Sequence, residues 1–241
     1  GAKVVLLAKG PRRANHTRMS GGRYNAVSGL NPDDSTDAFF QDTLESGAGI
    51  NNYPLTRILA DEAMDRAYDL ESYGLAWDRT AIQKYYMSMT GGGTFVRTLG
   101  SIDEGIGITE VMLHQLHKRG IRICDFHMLA DVVQDDRGRV AGGLALDLST
   151  GAWRYFSAGA VVIATGGTSQ LYETSSGAAI NTGDGIAIAS RVYRAIGVEA
   201  LRRQANLEDA RELTYIARHV KIDFDWNKHP PTVSLNHEEV G

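Results

Sequence analysis

Apolar and polar positions divide the first 200 residues into buried runs and amphipathic stretches. Two continuous aliphatic runs, Lys3–Lys9 and Ala160–Ala164, each predict a strand that is buried on both faces. Apolar positions three and four apart predict helices that pack one face on a core. The expected helices run from the Asp33–Thr36 cap through Leu44, over Tyr53–Leu70 with an apolar stripe of Ile58, Leu59, Ala63 and Ala67, and over Ile108–Lys118. This alternation favours an α/β fold.

The middle of the chain changes to a strand pattern. Short runs of β-branched and aromatic residues are separated by turns, of which Asp135–Arg139 is a hairpin turn. The predicted strands are Ile121–Phe126, His127–Val133, Val140–Leu148 and Trp153–Ala158. They predict a small meander between α/β units. Farther on, we expect a helix from Thr182 to Ala195, a charged helix capped by Asn206–Asp209 that ends at Val220, and an irregular end.

Composition narrows the possible partners. The 241 residues carry a formal net charge of -4, which argues against nucleic acid because a basic face would be needed. The 27 glycines with only 5 prolines favour tight turns at ligand-binding loops over a disordered linker. Cys124 is the only cysteine, so the chain has no internal disulfide and no cysteine set for an iron–sulfur cluster. No apolar run approaches the ~18 residues that span a bilayer, so we expect a cytoplasmic protein whose attachment to the inner face of a membrane would need partner subunits.

Two glycine-containing segments stand where α/β proteins bind dinucleotides. Ala164–Gly167 follows a predicted strand, and small residues there would let the backbone approach a ligand closely. Thr182–Gly185 begins a predicted helix, where free N–H groups favour an anionic oxygen and Asp184 can accept hydrogen bonds from sugar or ribityl hydroxyls. Taken alone, each is explained equally well as an ordinary strand-ending turn or helix cap.

The polar loop Asn15–Gly22 follows the first predicted strand and contains His16. Such a loop presents backbone N–H groups to a phosphate or a flavin, and its imidazole could bond to an isoalloxazine ring. A hydrogen-bonded surface histidine is the simpler interpretation of a lone histidine. His114 and His117 lack the carboxylates that would complete a metal site, so no metal is expected. Gly105–Gly107 is discounted as a dinucleotide loop because it follows no strand and lacks a third glycine.

Together these segments resemble a known family, the flavoprotein subunit of succinate dehydrogenase and fumarate reductase, which also includes L-aspartate oxidase. The loop at Asn15–Gly22 is similar to the family's Ser-His-Thr-x-x-x-x-Gly-Gly, and Leu70–Thr80 is similar to its Leu-Glu-x-x-Gly-Leu-x-Phe-x-Arg-Thr. Asp33–Thr43, Ala164–Gly167 and Thr182–Gly185 match further family segments in the same order. The resemblance covers residues 1 to about 199 and implies a Rossmann-like FAD-binding domain with an inserted meander.

The resemblance assigns cofactor roles to individual residues. FAD would be attached covalently to His16, as in the complex-forming members, or held without a bond, as in the soluble ones. Backbone of the loop would approach the flavin, Ala8 and Lys9 would lie near the adenosine ribose, main chain at Leu129 would face the adenine, and Asp184 would bond a cofactor hydroxyl. The complete set of cofactor-binding residues expected in this way is Ala8, Lys9, Asn15, His16, Thr17, Ser20, Gly21, Gly22, Leu129, Ala164, Thr165, Gly166 and Asp184.

The chain also departs from the family pattern. Its loop is one residue shorter between His16 and the glycine pair than in the respiratory enzymes, and the family's first βα unit with its Gly-x-Gly-x-x-Gly loop is absent. The capping domain is absent too, and His229–Thr232 echoes its His-Pro-Thr segment only with an inserted proline. We therefore expect residues 1–199 to form an incomplete FAD-binding domain of a larger protein, with 200–241 as a separate tail.

The function implied is oxidoreduction of a dicarboxylate, by preference succinate and fumarate. In the family's mechanism hydride passes between flavin N5 and a substrate carbon while an arginine transfers a proton, and no residue of this chain is assigned that proton-transfer role. Electrons would pass to or from a separate iron–sulfur subunit. The alternatives are a soluble enzyme similar to L-aspartate oxidase and a non-catalytic flavin-binding or scaffold subunit of a larger complex.

Overall fold

The computed structural model describes residues 1–191, isolated positions between 202 and 216, and three short strands between 222 and 240. In chain order the elements are β1 (Val5–Leu7), β2 (Arg23–Asn25), α1 (Thr36–Ser46), α2 (Tyr53–Ser72), β3 (Met87–Ser88), β4 (Thr98–Gly100), α3 (Glu104–Lys118), β5 (Arg122–Cys124), β6 (His127–Gln134), β7 (Val140–Asp147), β8 (Trp153–Ser157), α4 (from residue 184, described to 191), β9 (Ile222–Asp225), β10 (Thr232–Leu235) and β11 (Glu238–Val240). They fall into two compact units, residues 1–4 with 13–122 and residues 5–12 with 123–241.

The first unit packs three helices with a small antiparallel sheet of order β2-β4-β3. The predicted helix starts are confirmed. The Ser35 side chain accepts a hydrogen bond from the Ala38 N–H at 3.1 Å, and the Asn52 side-chain oxygen accepts one from the Leu55 N–H at the same distance. Side-chain caps of this kind satisfy N–H groups that a helix start leaves free. The eight buried residues of the core are Ala26, Phe39, Ala60, Ala63, Ala67, Leu75, Trp77 and Leu99.

The buried face of α2 differs from the predicted stripe. Ala63 and Ala67 are buried as expected, but Ile58 and Leu59 are about half exposed, and Ala60 takes the buried position instead. Small side chains let the helix lie close enough for the Trp77 indole N–H to donate to the Ala67 carbonyl at 3.2 Å. Close packing therefore selects alanine over the larger residues on this face.

A buried ion cluster ties β4 to α1 in the first unit. The Arg97 guanidinium pairs with Asp34 at 2.7 Å and with Asp42, and the Arg97 and Asp34 side chains are each only 3% exposed. Burial raises the pKa of Asp42, but hydrogen bonds from Thr94 and Arg97 outweigh it, so the pKa lies below its ordinary value. Because the guanidinium bonds both carboxylates, each of the three buried groups has a partner of opposite charge, although the cluster carries one net negative charge.

The helix α3 begins earlier than predicted. It was expected from Ile108 but starts at Glu104, so that Gly105 and Gly107 lie within its first turns and are buried. Glycine disfavours helix interiors in isolation, which is why the sequence pattern placed the start later. Here the two glycines are selected by what packs against them.

The second unit is mainly strands. The predicted meander is confirmed for three of its four strands, an antiparallel sheet of order β6-β7-β8 with the turn at Asp135–Arg139 closing its first hairpin, whereas Ile121–Phe126 forms only β5 and lies outside this sheet. A two-stranded sheet joins β1 and β5. The predicted irregular end is wrong for β9, β10 and β11, which form a second antiparallel meander. The predicted helix over Asn206–Val220 lies largely outside the described residues, as does His229–Thr232 apart from the start of β10.

Both aliphatic runs depart from the buried strands expected of them. The first forms only the three-residue β1, whose Val5 and Leu6 are more than a third exposed. The second, Ala160–Ala164, joins no sheet of the described residues, and Val162 is 87% exposed. A strand becomes buried on both faces only when strands lie on both sides of it and helices cover its faces. Among the described residues, β1 has only β5 paired with it, and Ala160–Ala164 has no paired strand.

Candidate functional site

In the first unit, the loop containing His16 is a defined turn. Thr17–Met19 forms one 3₁₀ turn, and the Ser20 N–H and hydroxyl both donate to the Thr17 carbonyl, at 3.0 and 2.7 Å. The Asn15 side-chain oxygen accepts from the Arg18 N–H at 2.9 Å. His16 and Gly21 are exposed, whereas Gly22 is buried. The loop therefore presents the imidazole outward from an ordered backbone.

The loop lies directly on the first turns of α3. The Gly105 N–H donates to the Ser20 carbonyl at 3.1 Å, and the Thr109 hydroxyl donates to the Asn15 side chain at 3.3 Å. A Cβ atom on Gly105 would lie 1.8 Å from the Thr17 carbonyl oxygen, so only glycine allows this approach. Gly105 belongs to the segment that was discounted as a dinucleotide loop. It instead packs directly against the loop predicted to bind the flavin.

Charge also joins the loop to α3. The Glu110 carboxylate accepts two hydrogen bonds from Arg13, at 2.7 and 2.8 Å, and one from Arg18 at 2.7 Å. The hydrogen bonds from Arg13, followed by those from Arg18, lower the pKa of Glu110 from 4.5 to about 2. The carboxylate is therefore ionised at any physiological pH.

In the second unit, Lys9 and Asp184 form an ion pair at the start of α4. The Lys9 ammonium lies 2.6 Å from the Asp184 carboxylate and also donates to the Thr182 hydroxyl. Thr182 in turn donates to Asp184 at 3.0 Å. Both charged side chains stay partly accessible, at 24% and 31% exposed. Lys9 was predicted to lie near a ribose and Asp184 to bind a cofactor hydroxyl. In the structure the two side chains pair with each other.

The predicted strand-ending turn lies against the same helix start. Ala164, Thr165 and Gly166 are all exposed. A Cβ on Gly185 would lie 1.9 Å from the Thr165 hydroxyl oxygen, so glycine in the first turn of α4 makes room for this segment. Thr165 and the start of α4, which carries Asp184, are therefore brought to one place in the second unit.

The backbone at Ala8 and Leu129 belongs to strand pairing. The Ala8 N–H donates to the Cys124 carbonyl, and its own carbonyl accepts from the His127 N–H, both at 2.9 Å. Leu129 pairs with Ala145 in the β6–β7 ladder, which is interrupted by an irregularity just after Leu129. Leu129 lies on β6 and Ala8 directly follows β1 in the second unit, and their contacts with adenosine remain predictions.

The residues of each unit, taken separately, fit one part of a flavin dinucleotide in their chemistry. Each unit offers exposed polar side chains, His16 in one and Asp184 in the other, on backbone that glycine allows to pack closely. Aromatic ring edges, ribityl hydroxyls and phosphate oxygens are recognised by such hydrogen-bonding groups and small residues. Within the part of the chain that the structure describes, no cluster of three or more His, Cys, Asp or Glu could hold a metal ion, and no helix is long and apolar enough to cross a membrane.

Comparison with known proteins gives the family. A family model described as an FAD binding domain matches residues 1–202. The chain belongs to this FAD-binding family. The match confirms the predicted family, the mixed α/β FAD-binding fold and FAD as the cofactor.

Among the relatives are fumarate reductase and succinate dehydrogenase subunits. The chain is 33% identical over 188 residues to one subunit of the fumarate reductase (CoM/CoB) of Methanothermobacter marburgensis, and the match covers 77% of this chain and 34% of that protein. It is 28% identical over 200 residues to the succinate dehydrogenase flavoprotein subunit of Coxiella burnetii, covering 78% and 34%. The solved structure of Mycobacterium smegmatis Sdh1 in complex with UQ1 superposes with a TM-score of 0.72 at 32% identity, covering 79% and 34%. This member of the FAD-binding family thus spans about a third of the length of these relatives.

Three contributors to the loop were missed by sequence reasoning. Glu110, Arg13 and Arg18 carry no motif, and their pairing joins positions more than 90 apart along the chain. Gly105 was noticed but given no role. The available signal was a pair of glycines at the start of a helix, where glycine is unfavourable unless something packs against it.

Proposed function

We propose that this FAD-binding protein acts as an oxidoreductase on a dicarboxylate of the succinate/fumarate type and exchanges electrons with a separate iron–sulfur partner. The observation that carries the proposal is the exposed His16 on a loop fixed against α3, in a chain related to fumarate reductase and succinate dehydrogenase subunits. FAD, when bound, supplies hydride transfer at its N5 atom. Attachment of the protein to the inner face of a membrane would come from its partner subunits.

The residues of the first unit are proposed to hold the flavin ring. Asn15, Thr17 and Ser20 keep the loop in shape through their backbone and side-chain hydrogen bonds. The backbone at Gly21 and Gly22 approaches the ring, and His16 either bonds it covalently or lies beside it. A loop with its shape set in advance lowers the cost of ordering on binding.

The residues of the second unit are proposed to hold the hydroxyl-bearing part of the cofactor. Asp184 accepts from a cofactor hydroxyl while the ion pair with Lys9 keeps the carboxylate oriented. Ala164, Thr165 and Gly166 offer backbone at the exposed turn beside it. Ala8 and Leu129 contribute main chain near the adenosine. Lys9 therefore acts through Asp184 in this proposal, and not by contact with the ribose.

The proposal is tested by following the flavin. The purified protein is reconstituted with FAD, its visible spectrum is recorded, and it is precipitated with acid to see whether the flavin stays with the pellet. His16→Ser is compared with His117→Ser, a matched control at another exposed histidine. Succinate and L-aspartate are then offered separately as reductants, and loss of the flavin absorbance is recorded.

Each outcome separates one form of the function from another. Flavin that stays with the pellet in the wild type and in His117→Ser, but not in His16→Ser, supports covalent attachment. Flavin released to the supernatant supports a non-covalent site. Reduction by L-aspartate in place of succinate would favour the L-aspartate oxidase alternative. Protein that takes up no FAD would overturn the proposed function and favour a scaffold.

A further inference from the structure

In the first unit, the Glu110 carboxylate forms ion pairs with both arginines that flank His16. Arg13 precedes the histidine by three positions and Arg18 follows it by two, and both guanidinium groups bond Glu110. The Glu110 side chain is 39% exposed and Arg18 is 30% exposed, so the cluster is at the surface but not fully solvated. The segment between the two arginines is thereby closed on α3 at both ends.

These contacts between the loop and α3 do not involve the His16 side chain. The other loop contacts on α3 run through Asn15 to Thr109 and through Ser20 to Gly105. Among the contacts that the structure describes, none is made by the His16 imidazole. A bidentate carboxylate–guanidinium pair fixes direction as well as distance, which a single hydrogen bond does not.

We propose that Glu110 is a positioning residue, which through Arg13 and Arg18 fixes the place of His16 and of the adjoining loop backbone relative to bound flavin. The inference rests on the proposed function, because it assigns the loop to the flavin. An isolated exposed ion pair contributes little to folding stability. The effect of Glu110 is therefore expected on the loop and on the flavin rather than on global unfolding.

The test compares Glu110→Gln, which keeps the shape and removes the charge, with Glu110→Asp and with Glu62→Gln. Glu62 is an exposed glutamate of α2 in the same unit and serves as the matched control. Three quantities are measured: the rate of trypsin cleavage after Arg13 and Arg18 by mass spectrometry, the FAD dissociation constant by fluorescence quenching, and the visible spectrum of bound flavin. Cleavage is also measured at low and high salt.

We expect Glu110→Gln to be cleaved about three- to tenfold faster than the wild type at these two arginines, the range for losing two partly exposed ion pairs. Its FAD dissociation constant should rise by a similar factor, with a shifted flavin spectrum, whereas Glu62→Gln behaves as wild type. Glu110→Asp should recover part of both effects. In about 1 M salt the difference in cleavage should shrink, because charges are screened within about 3 Å.

Three results would overturn the inference. Equal cleavage of Glu110→Gln and wild type would show that Glu110 does not hold the loop. Faster cleavage with an unchanged FAD dissociation constant and spectrum would show that holding the loop does not position the flavin. If Glu110→Gln does not fold, Glu110→Asp decides, and wild-type behaviour in it overturns the proposal. A wild type that binds no FAD fails the proposed function, and its cleavage pattern still reports whether Glu110 holds the loop.

Discussion

Replacing Gly105 with alanine has two opposing effects on folding stability: a gain in helix propensity and a steric clash with the loop. In a helix interior the change ordinarily stabilises by about 1 kcal/mol. Here the added Cβ would lie 1.8 Å from the Thr17 carbonyl oxygen and 2.8 Å from that of Ser20. Both are backbone atoms, so no rotamer change relieves the overlap. To reach an ordinary contact near 3.4 Å, the loop must move away from α3 by about 1.6 Å.

This movement of the loop decides whether Gly105→Ala stabilises or destabilises the fold. Overpacking of this kind costs about 1–3 kcal/mol, and the hydrogen bond from the Gly105 N–H to Ser20 would be stretched. We therefore expect a net destabilisation of about 1–2 kcal/mol, seen as a melting temperature lower by about 2–8 °C. FAD affinity should fall by about tenfold to a hundredfold, since a shift of more than 1 Å is large for a positioning loop.

The measurement is FAD titration by fluorescence quenching, together with thermal unfolding followed by circular dichroism. Gly107→Ala is the matched control: its added Cβ would lie 3.0 Å from the Asp103 Cβ and 3.2 Å from the Leu75 Cδ1, which are far looser contacts than the 1.8 Å at Gly105 and do not involve the loop. This control should keep FAD affinity within about threefold of the wild type. A Gly105→Ala protein that melts higher and binds FAD as tightly as the wild type would refute the reasoning.

Three further predictions concern charged groups. Arg97→Met strands two buried carboxylates and should lower the free energy of unfolding by about 3–5 kcal/mol in urea titration; a loss below about 1 kcal/mol would contradict it. Asp184→Asn should weaken FAD binding about tenfold, while Asp135→Asn on an exposed hairpin should not; equal effects would contradict the proposed role. The folded-state pKa of Glu110 is lowered to about 2, so its hold on Arg13 and Arg18 is complete above its ordinary value of 4.5 and lost as the pH falls through 2; a carboxyl titration by NMR with a midpoint near 4.5 would refute the paired geometry.

The sequence was sufficient for features that depend on neighbouring residues. The cap at Ser35, the start of α2 at Tyr53 and the meander from His127 to Ser157 follow from local hydrogen bonding and from period-two alternation, and the structure has them. The family resemblance rested on short ordered motifs, and the family model confirms it.

Features that depend on distant partners could not be read in this way. Whether an aliphatic run such as Ala160–Ala164 is buried depends on the strands beside it, and no pattern within the run reports them. The same holds for Glu110, whose two partners precede it by more than 90 positions. Ile58 and Leu59 were placed in the core by hydrophobicity alone, although the approach of the helix selected Ala60.

The exposed segment Ala160–Ala164 has a practical consequence for anyone handling the protein. It is five residues long, uncharged, free of proline and rich in β-branched side chains, with Val162 almost fully in solvent. Segments with these properties recruit identical copies of themselves into intermolecular ladders. We therefore expect self-association that rises with concentration even while the fold is intact. Val162→Lys should raise the concentration at which the protein begins to associate, measured by light scattering, whereas an unchanged threshold would contradict this expectation.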